Sequence, residues 1–239
     1  LESILEKHKN VKNIKKDSDF SAEDLKKIIV EFKTEIKKNF GIDFPDSCKA
    51  QLRGAVEAVF KSWNGKRAIQ YRKIENIPND WGTAVNVQAM VFGNLGTQSA
   101  TGVAFTRNPS NGTNMLYGEW LENAQGEDVV AGIRTPYPIN DSSKTRQTKK
   151  STTLEEAFPK IYKELNQIKK KLEKHYKDMQ DVEFTIEEGK LWMLQTRAGK
   201  RTGEAAIKIA LDMNTEKLIT QQNVLDRIVS KNLNEIMHA

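Results

Sequence analysis

The apolar period of this chain changes part-way along it, and that change limits the folds open to it. In the first third, apolar residues recur every three or four positions. Ser21-Ala22-Glu23-Asp24 has the form of an N-cap with an acid three positions on. Leu25, Ile28, Ile29, Phe32 and Ile36 follow at helical spacing, and Gly41 is placed to stop the helix. A second helix is predicted over 46–63, with Leu52, Val56, Val59, Phe60 and Trp63 on one stripe and Asn64-Gly65 at its end. From about Lys66 the period is two. Val85, Val87, Ala89 and Val91 alternate with Ala84, Asn86, Gln88 and Met90, which predicts a strand over 83–92 whose polar side needs a partner. Further strands are predicted over 99–106 and 114–121, parted by the turn cluster Asn108-Pro109-Ser110-Asn111-Gly112. Helices followed by such strands make the chain α+β, with packed helices and a mostly antiparallel sheet. Gly93, Gly96 and Gly102 either serve turns and bulges or let bare backbone approach a ligand.

The segment 140–153 is polar and basic, without apolar periodicity, and reads as a mobile loop. A long helix follows, with Phe158, Ile161, Leu165, Ile168, Leu172 and Met179 as its stripe and Pro159 tolerable only in its first turn. Lys169, Lys170, Lys171, Lys174 and Lys177 are expected on its solvated face, and His175 has no partner at metal-ligand spacing. Residues 183–197 read as a β-hairpin around Glu187-Glu188-Gly189. A three-residue loop would put Asp181, Glu183 and Thr185 on one face with Met193, Gln195 and Arg197, whereas a two-residue loop would split them. Two short helices, around 204–211 and 220–229, complete the chain.

Charge separates the functional readings less than it first suggests. The chain has 38 Lys and Arg against 32 Asp and Glu, a net charge of +6 and a pI near 9.2. The bases are interleaved with acids on helices, which fits a solvated surface better than a nucleic-acid footprint. No run approaches the roughly 18 apolar residues of a membrane span. The single cysteine, Cys48, cannot close an internal disulfide; it is expected to be structural and fits a reducing, cytoplasmic setting. The hairpin carries the chemistry. Two carboxylates, an amide oxygen and a guanidinium suit the Mg²⁺-polyphosphate end of a nucleotide, since hard cations take oxygen ligands and Arg donates to phosphoryl oxygens. The same residues also make an ordinary cross-strand ion pair, so spacing alone leaves both readings open. Walker, G-x-G-x-x-G, Ser-His-Asp and zinc-spaced Cys/His patterns are absent.

Longer motifs add a family. The runs 81–94, 101–109, 117–119 and 123–132, then Asp178-Met-Gln-Asp-Val-Glu-Phe-Thr-Ile-Glu187 and Leu194-Gln-Thr-Arg-Ala-Gly-Lys-Arg201, closely resemble the nucleotide-binding domain of the pyruvate, phosphate dikinase family, in register over nearly the whole chain. The resemblance implies an ATP-grasp fold, incomplete here because its first lobe would precede Leu1. It divides the chain into a helical segment (1–66), an ATP-grasp lobe (67–200) and a helical connector (201–239). It implies Glu183 and Gln195 as Mg²⁺ and polyphosphate groups, Asp181 as their support and Arg197 as a phosphate contact. Thr101 and Gly102 match a loop near the phosphates, and Gln88, Met90 and Val91 match an interlobe strand that meets adenine through its backbone. Glu119 and Glu127 match the same cleft less closely. Family chemistry interconverts ATP, phosphate and pyruvate with AMP, pyrophosphate and phosphoenolpyruvate through a phosphohistidine on another domain. His238 matches a connector residue and not that histidine. The resemblance further implies partner domains for phosphohistidine and pyruvate, a homodimeric full enzyme, and no membrane or nucleic-acid partner. Two other readings stand beside it. One is the equivalent unit of phosphoenolpyruvate synthase or another dikinase, and the other is a non-catalytic module that binds a partner or polyanion through its basic helix.

Overall fold

The computed structural model describes residues 1–15, 17–130 and 134–228, so the end of the last predicted helix and His238 lie outside the described residues. The chain divides into two compact units, 1–88 and 89–239.

The first unit is helical: α1 (Glu2–Lys12), α2 (Ala22–Phe40), α3 (Cys48–Ser62) and α4 (Lys66–Ile74). Ser21 and Asp24 form the capping box read from the sequence, and Gly41 ends α2 at φ 70°. Asp24 is also buried, where it pairs with Lys12 of α1. The helix α4 corrects the period-two reading from Lys66. What holds it is a buried polar contact to its flanking segments rather than an apolar stripe. The buried Arg72 guanidinium donates to the Trp63 carbonyl at 2.6 Å and to Asn79 Oδ1 at 2.8 Å, and stacks 4.0 Å over the Trp63 ring. Cys48, expected in a packed interior, is exposed at the start of α3.

No strand forms over 83–92, and Val87 and Met90 are 72% and 71% exposed. Alternation marks a segment able to lie in a sheet. Its backbone N–H and C=O groups still need a neighbouring strand, and none pairs with them among the described residues.

The second unit is built on a five-stranded antiparallel sheet in the order β3-β2-β1-β4-β5, with β1 (Ala100–Phe105), β2 (Tyr117–Glu122), β3 (Tyr137–Pro138), β4 (Gln180–Glu187) and β5 (Lys190–Ala198). Its helices are α5 (Gly126–Val130), α6 (Leu154–Ala157), α7 (Pro159–Tyr176), α8 (Gly203–Thr215) and α9 (Gln221–Arg227). Pro159 opens α7, where its missing N–H has no helical partner to lose. The apolar stripe of α7, Ile161, Leu165 and Leu172, packs on Ala100, Ala104, Trp120, Val182, Phe184 and Ile186, which all point to one face of the sheet. A second cluster joins α8 and α9 (Ala205, Ile209, Met213 and Val224) to Met179 and to Phe105.

The loop over 140–153 is anchored at both ends. Buried Asn140 donates to the Leu116 carbonyl at 2.6 Å, and Thr153 closes a capping box with Glu156. Among the described residues no helix is long and apolar enough to cross a membrane.

Candidate nucleotide site on the open sheet face

The hairpin resolves its two sequence alternatives in a way neither anticipated. Its turn has two residues, Glu188 and Gly189, at φ 49° and 80°, the left-handed pair that suits the twist of a tight hairpin. Such a turn alone would put Gln195 and Arg197 on the core face. A register shift next to Glu183 and Phe184 restores the alignment. Phe184 pairs with Met193, but Glu183 pairs with Gln195 and Asp181 with Arg197, which leaves Leu194 as the extra residue of a bulge. Asp181, Glu183, Gln195 and Arg197 therefore share the face turned away from α7, while Met193 stays with the core. Thr185 is opposite Trp192 instead of Met193.

On this face Arg197 Nε donates to Asp181 Oδ2 at 2.8 Å, and its Nη2 lies 3.9 Å from Glu183 Oε1. The Asp181 hydrogen bond, helped by the charges of both acids, raises the Arg197 pKa further above its ordinary value, so the guanidinium stays charged. Arg197 is well exposed, Glu183 less so, and Asp181 is mostly covered. Asp181 thus orients the Arg197 fork, and the Glu183 carboxylate is open to a further partner.

Neighbouring strands extend the row. Val103 stands between Glu183 and the exposed Glu119, and Thr101 pairs with Thr185. Thr101 is buried, and its hydroxyl donates to the Phe184 carbonyl at 3.3 Å. Gly102, matched to a loop, lies mid-strand. A Cβ there would come within 2.4 Å of the Phe184 ring, so the space it leaves is filled by the core. Glu127 is exposed in the first turn of α5, which contacts β1 and β2. Met90 and Val91 lie in the non-strand segment just before Phe92, whose N–H donates to Glu187 Oε1 at 2.9 Å by the hairpin turn. Gln88 belongs to the other unit. Among the described residues no three His, Cys, Asp or Glu side chains gather as a metal cluster.

Sequence reasoning missed the buried ion cluster behind this sheet. Arg107, fully buried, binds Glu173 of α7 through Nε at 3.0 Å and Nη2 at 2.9 Å, and Glu216 through Nη1 at 3.1 Å and Nη2 at 2.7 Å. Lys169, expected on the solvated face, is buried beside it and donates to Asn114. Burial pushes the Lys169 pKa down, against the pull of Glu173. Only the position of Lys169 one turn before Glu173 hinted at a charged seam on α7.

The family model described as pyruvate phosphate dikinase, AMP/ATP-binding domain, matches residues 2–164 and 141–218. The chain belongs to this family. Over its whole length it is 52% identical to pyruvate, phosphate dikinase of Rhizobium meliloti (strain 1021) and of Clostridium symbiosum, and 48% identical to the chloroplastic pyruvate, phosphate dikinase 1 of Arabidopsis thaliana. It spans 26% of the first two relatives and 24% of the third, so it corresponds to about a quarter of a dikinase chain.

Proposed function

We propose that the open face of the sheet is one wall of an ATP site in an ATP-grasp domain, and that the whole protein interconverts ATP, phosphate and pyruvate with AMP, pyrophosphate and phosphoenolpyruvate. The observation that carries this reading is the bulged register, which gathers Asp181, Glu183, Gln195 and Arg197 on one face. Nothing in apolar packing calls for that grouping. Glu183 and the Gln195 amide oxygen fit a Mg²⁺ ion, which binds through one or two protein oxygens and takes its other ligands from phosphates and water. Bound there, Mg²⁺ would neutralise charge on the polyphosphate oxygens.

Arg197, held by Asp181, presents a planar donor pair to a phosphoryl group and offsets the negative charge that builds up on transfer. The β1 backbone at Thr101 and Gly102 runs beside the phosphates, Gln88, Met90 and Val91 meet adenine through backbone groups, and Glu119 and Glu127 lie at the rim. The phosphoryl group passes to a histidine outside this chain and from there to pyruvate, so the phosphohistidine and pyruvate domains are its partners. The partition at residues 66 and 200 and the dimeric state of the whole enzyme belong to the same reading.

Calorimetric titration of MgATP into the chain and into the longer protein tests it, with circular dichroism to establish folding. Glu183→Ala and Arg197→Ala are each expected to abolish binding or weaken it by at least about tenfold, the loss of one charge-assisted contact. A folded longer protein that ignores MgATP, or binds it equally after both substitutions, overturns the assignment.

A further inference from the structure

The α7 side of the sheet holds a second feature that the nucleotide reading does not use. A cavity of about 550 Å³ lies there, floored by Trp120, Tyr137 and Phe158 and bordered by Glu122, Lys150 and Ser151. That volume is in the range of small-molecule sites. It is separate from the Glu183 row, because Trp120 belongs to the core face of the sheet.

The aromatic floor is fixed. The Trp120 ring stands edge-on to Tyr137 at 5.5 Å and to Phe158 at 5.7 Å, and Trp120 is only 2% exposed. Its indole N–H is buried with no acceptor among the described residues. A buried donor left unpaired costs roughly 1–3 kcal/mol, and a buried Trp N–H usually finds a partner. The two charged side chains are unpaired as well. Glu122, two residues along β2 from Trp120, and Lys150, from the basic loop, have no side-chain partner among the described residues. One cation, one anion and three aromatic rings thus border the same space.

We propose that this cavity binds a small zwitterion, an α-amino acid with an aromatic or large apolar side chain. Its carboxylate meets the Lys150 ammonium and the Ser151 hydroxyl. Its ammonium faces Glu122, and its side chain packs against Tyr137 and Phe158. This gives the basic loop over 140–153 a role in recognition that its composition alone did not define.

The test is a titration of the ¹⁵N-labelled chain with L-phenylalanine, read from the Trp indole N–H signals. Phenylacetate and phenethylamine run beside it as single-charge controls. The Trp120 signal is expected to shift and saturate with a Kd on the order of 1 mM or tighter, ordinary for so small a ligand. Each control should bind at least about tenfold more weakly. Lys150→Ala and Glu122→Gln, at half-buried or exposed positions that should leave the fold intact, should each weaken phenylalanine by a similar factor. A Trp120 signal that never moves overturns the site. Phenylacetate binding as tightly as phenylalanine, or binding indifferent to both substitutions, overturns the zwitterion assignment.

Discussion

Replacing Glu173 by Gln keeps its shape and removes its charge from a deeply buried ion cluster of the second unit. Arg107 and Glu173 are 0% and 5% exposed at their side chains, and the two are joined by paired hydrogen bonds. Breaking one partner out of a buried pair typically costs about 3–5 kcal/mol, because the remaining charge stays desolvated. Arg107 keeps Glu216, so the lower end, about 3 kcal/mol, is expected. Lys169 adds to the loss, since Glu173 makes the largest favourable contribution opposing its burial.

Glu216 is 34% exposed, and solvent can take over part of its role, so Glu216→Gln should cost only about 1 kcal/mol. With a urea slope of about 1–3 kcal/mol/M, Glu173→Gln should lower the unfolding midpoint by about 1–3 M. Removing both acids should cost more than the sum, because Arg107 is then left with neither. The assay is urea unfolding by circular dichroism, with hydrogen exchange at the Thr106 and Gln180 amides reporting on this unit; those two residues, just past β1 and at the start of β4, are bonded to each other. If Glu173→Gln costs no more than Glu216→Gln, the argument from burial is wrong.

Two further outcomes follow from positions in the two units. Gly102→Ala would drive a Cβ to 2.4 Å from Phe184 Cζ and 2.8 Å from the Glu119 carbonyl, so about 1–3 kcal/mol of stability should be lost without any ligand. Thermal melts should show part of that loss recovered by adding Phe184→Leu; a variant as stable as the parent would contradict the packing. The Asp24 carboxyl is held at a pKa of about 2 by the Lys12 ion pair and the Ser21 hydroxyl, below its ordinary 3.8. A depressed carboxylate contributes stability above its unfolded pKa and loses it as pH falls through the folded one. Helicity of the first unit should therefore drop between pH 4 and 2, and Asp24→Asn should remove that step; a step of equal size in the variant would assign it elsewhere.

The caps, stripes and turns of this protein are written in short stretches of sequence. Ser21 and Asp24 cap α2, Pro159 starts α7, and Gly189 turns the hairpin, because each depends on backbone preferences that neighbouring residues alone can set. The acids and the arginine of the candidate site were legible too, both as hairpin residues and as a family motif. Their shared face was not, because the two-residue turn puts them on opposite faces and only the bulge at Leu194 reunites them. That bulge is a property of how β4 and β5 pack, not of either strand's alternation.

Other features also depended on partners distant in sequence. Residues 83–92 alternate like a strand yet have no ladder, since alternation states which faces a strand would present and not what lies beside it. Lys169 reads as one surface lysine among five until Arg107, Glu173 and Asn114 close around it. The sequence by itself determined the local elements and the chemical inventory. Tertiary structure decided which of those groups meet, because burial and long-range charge exist only once distant segments are packed together.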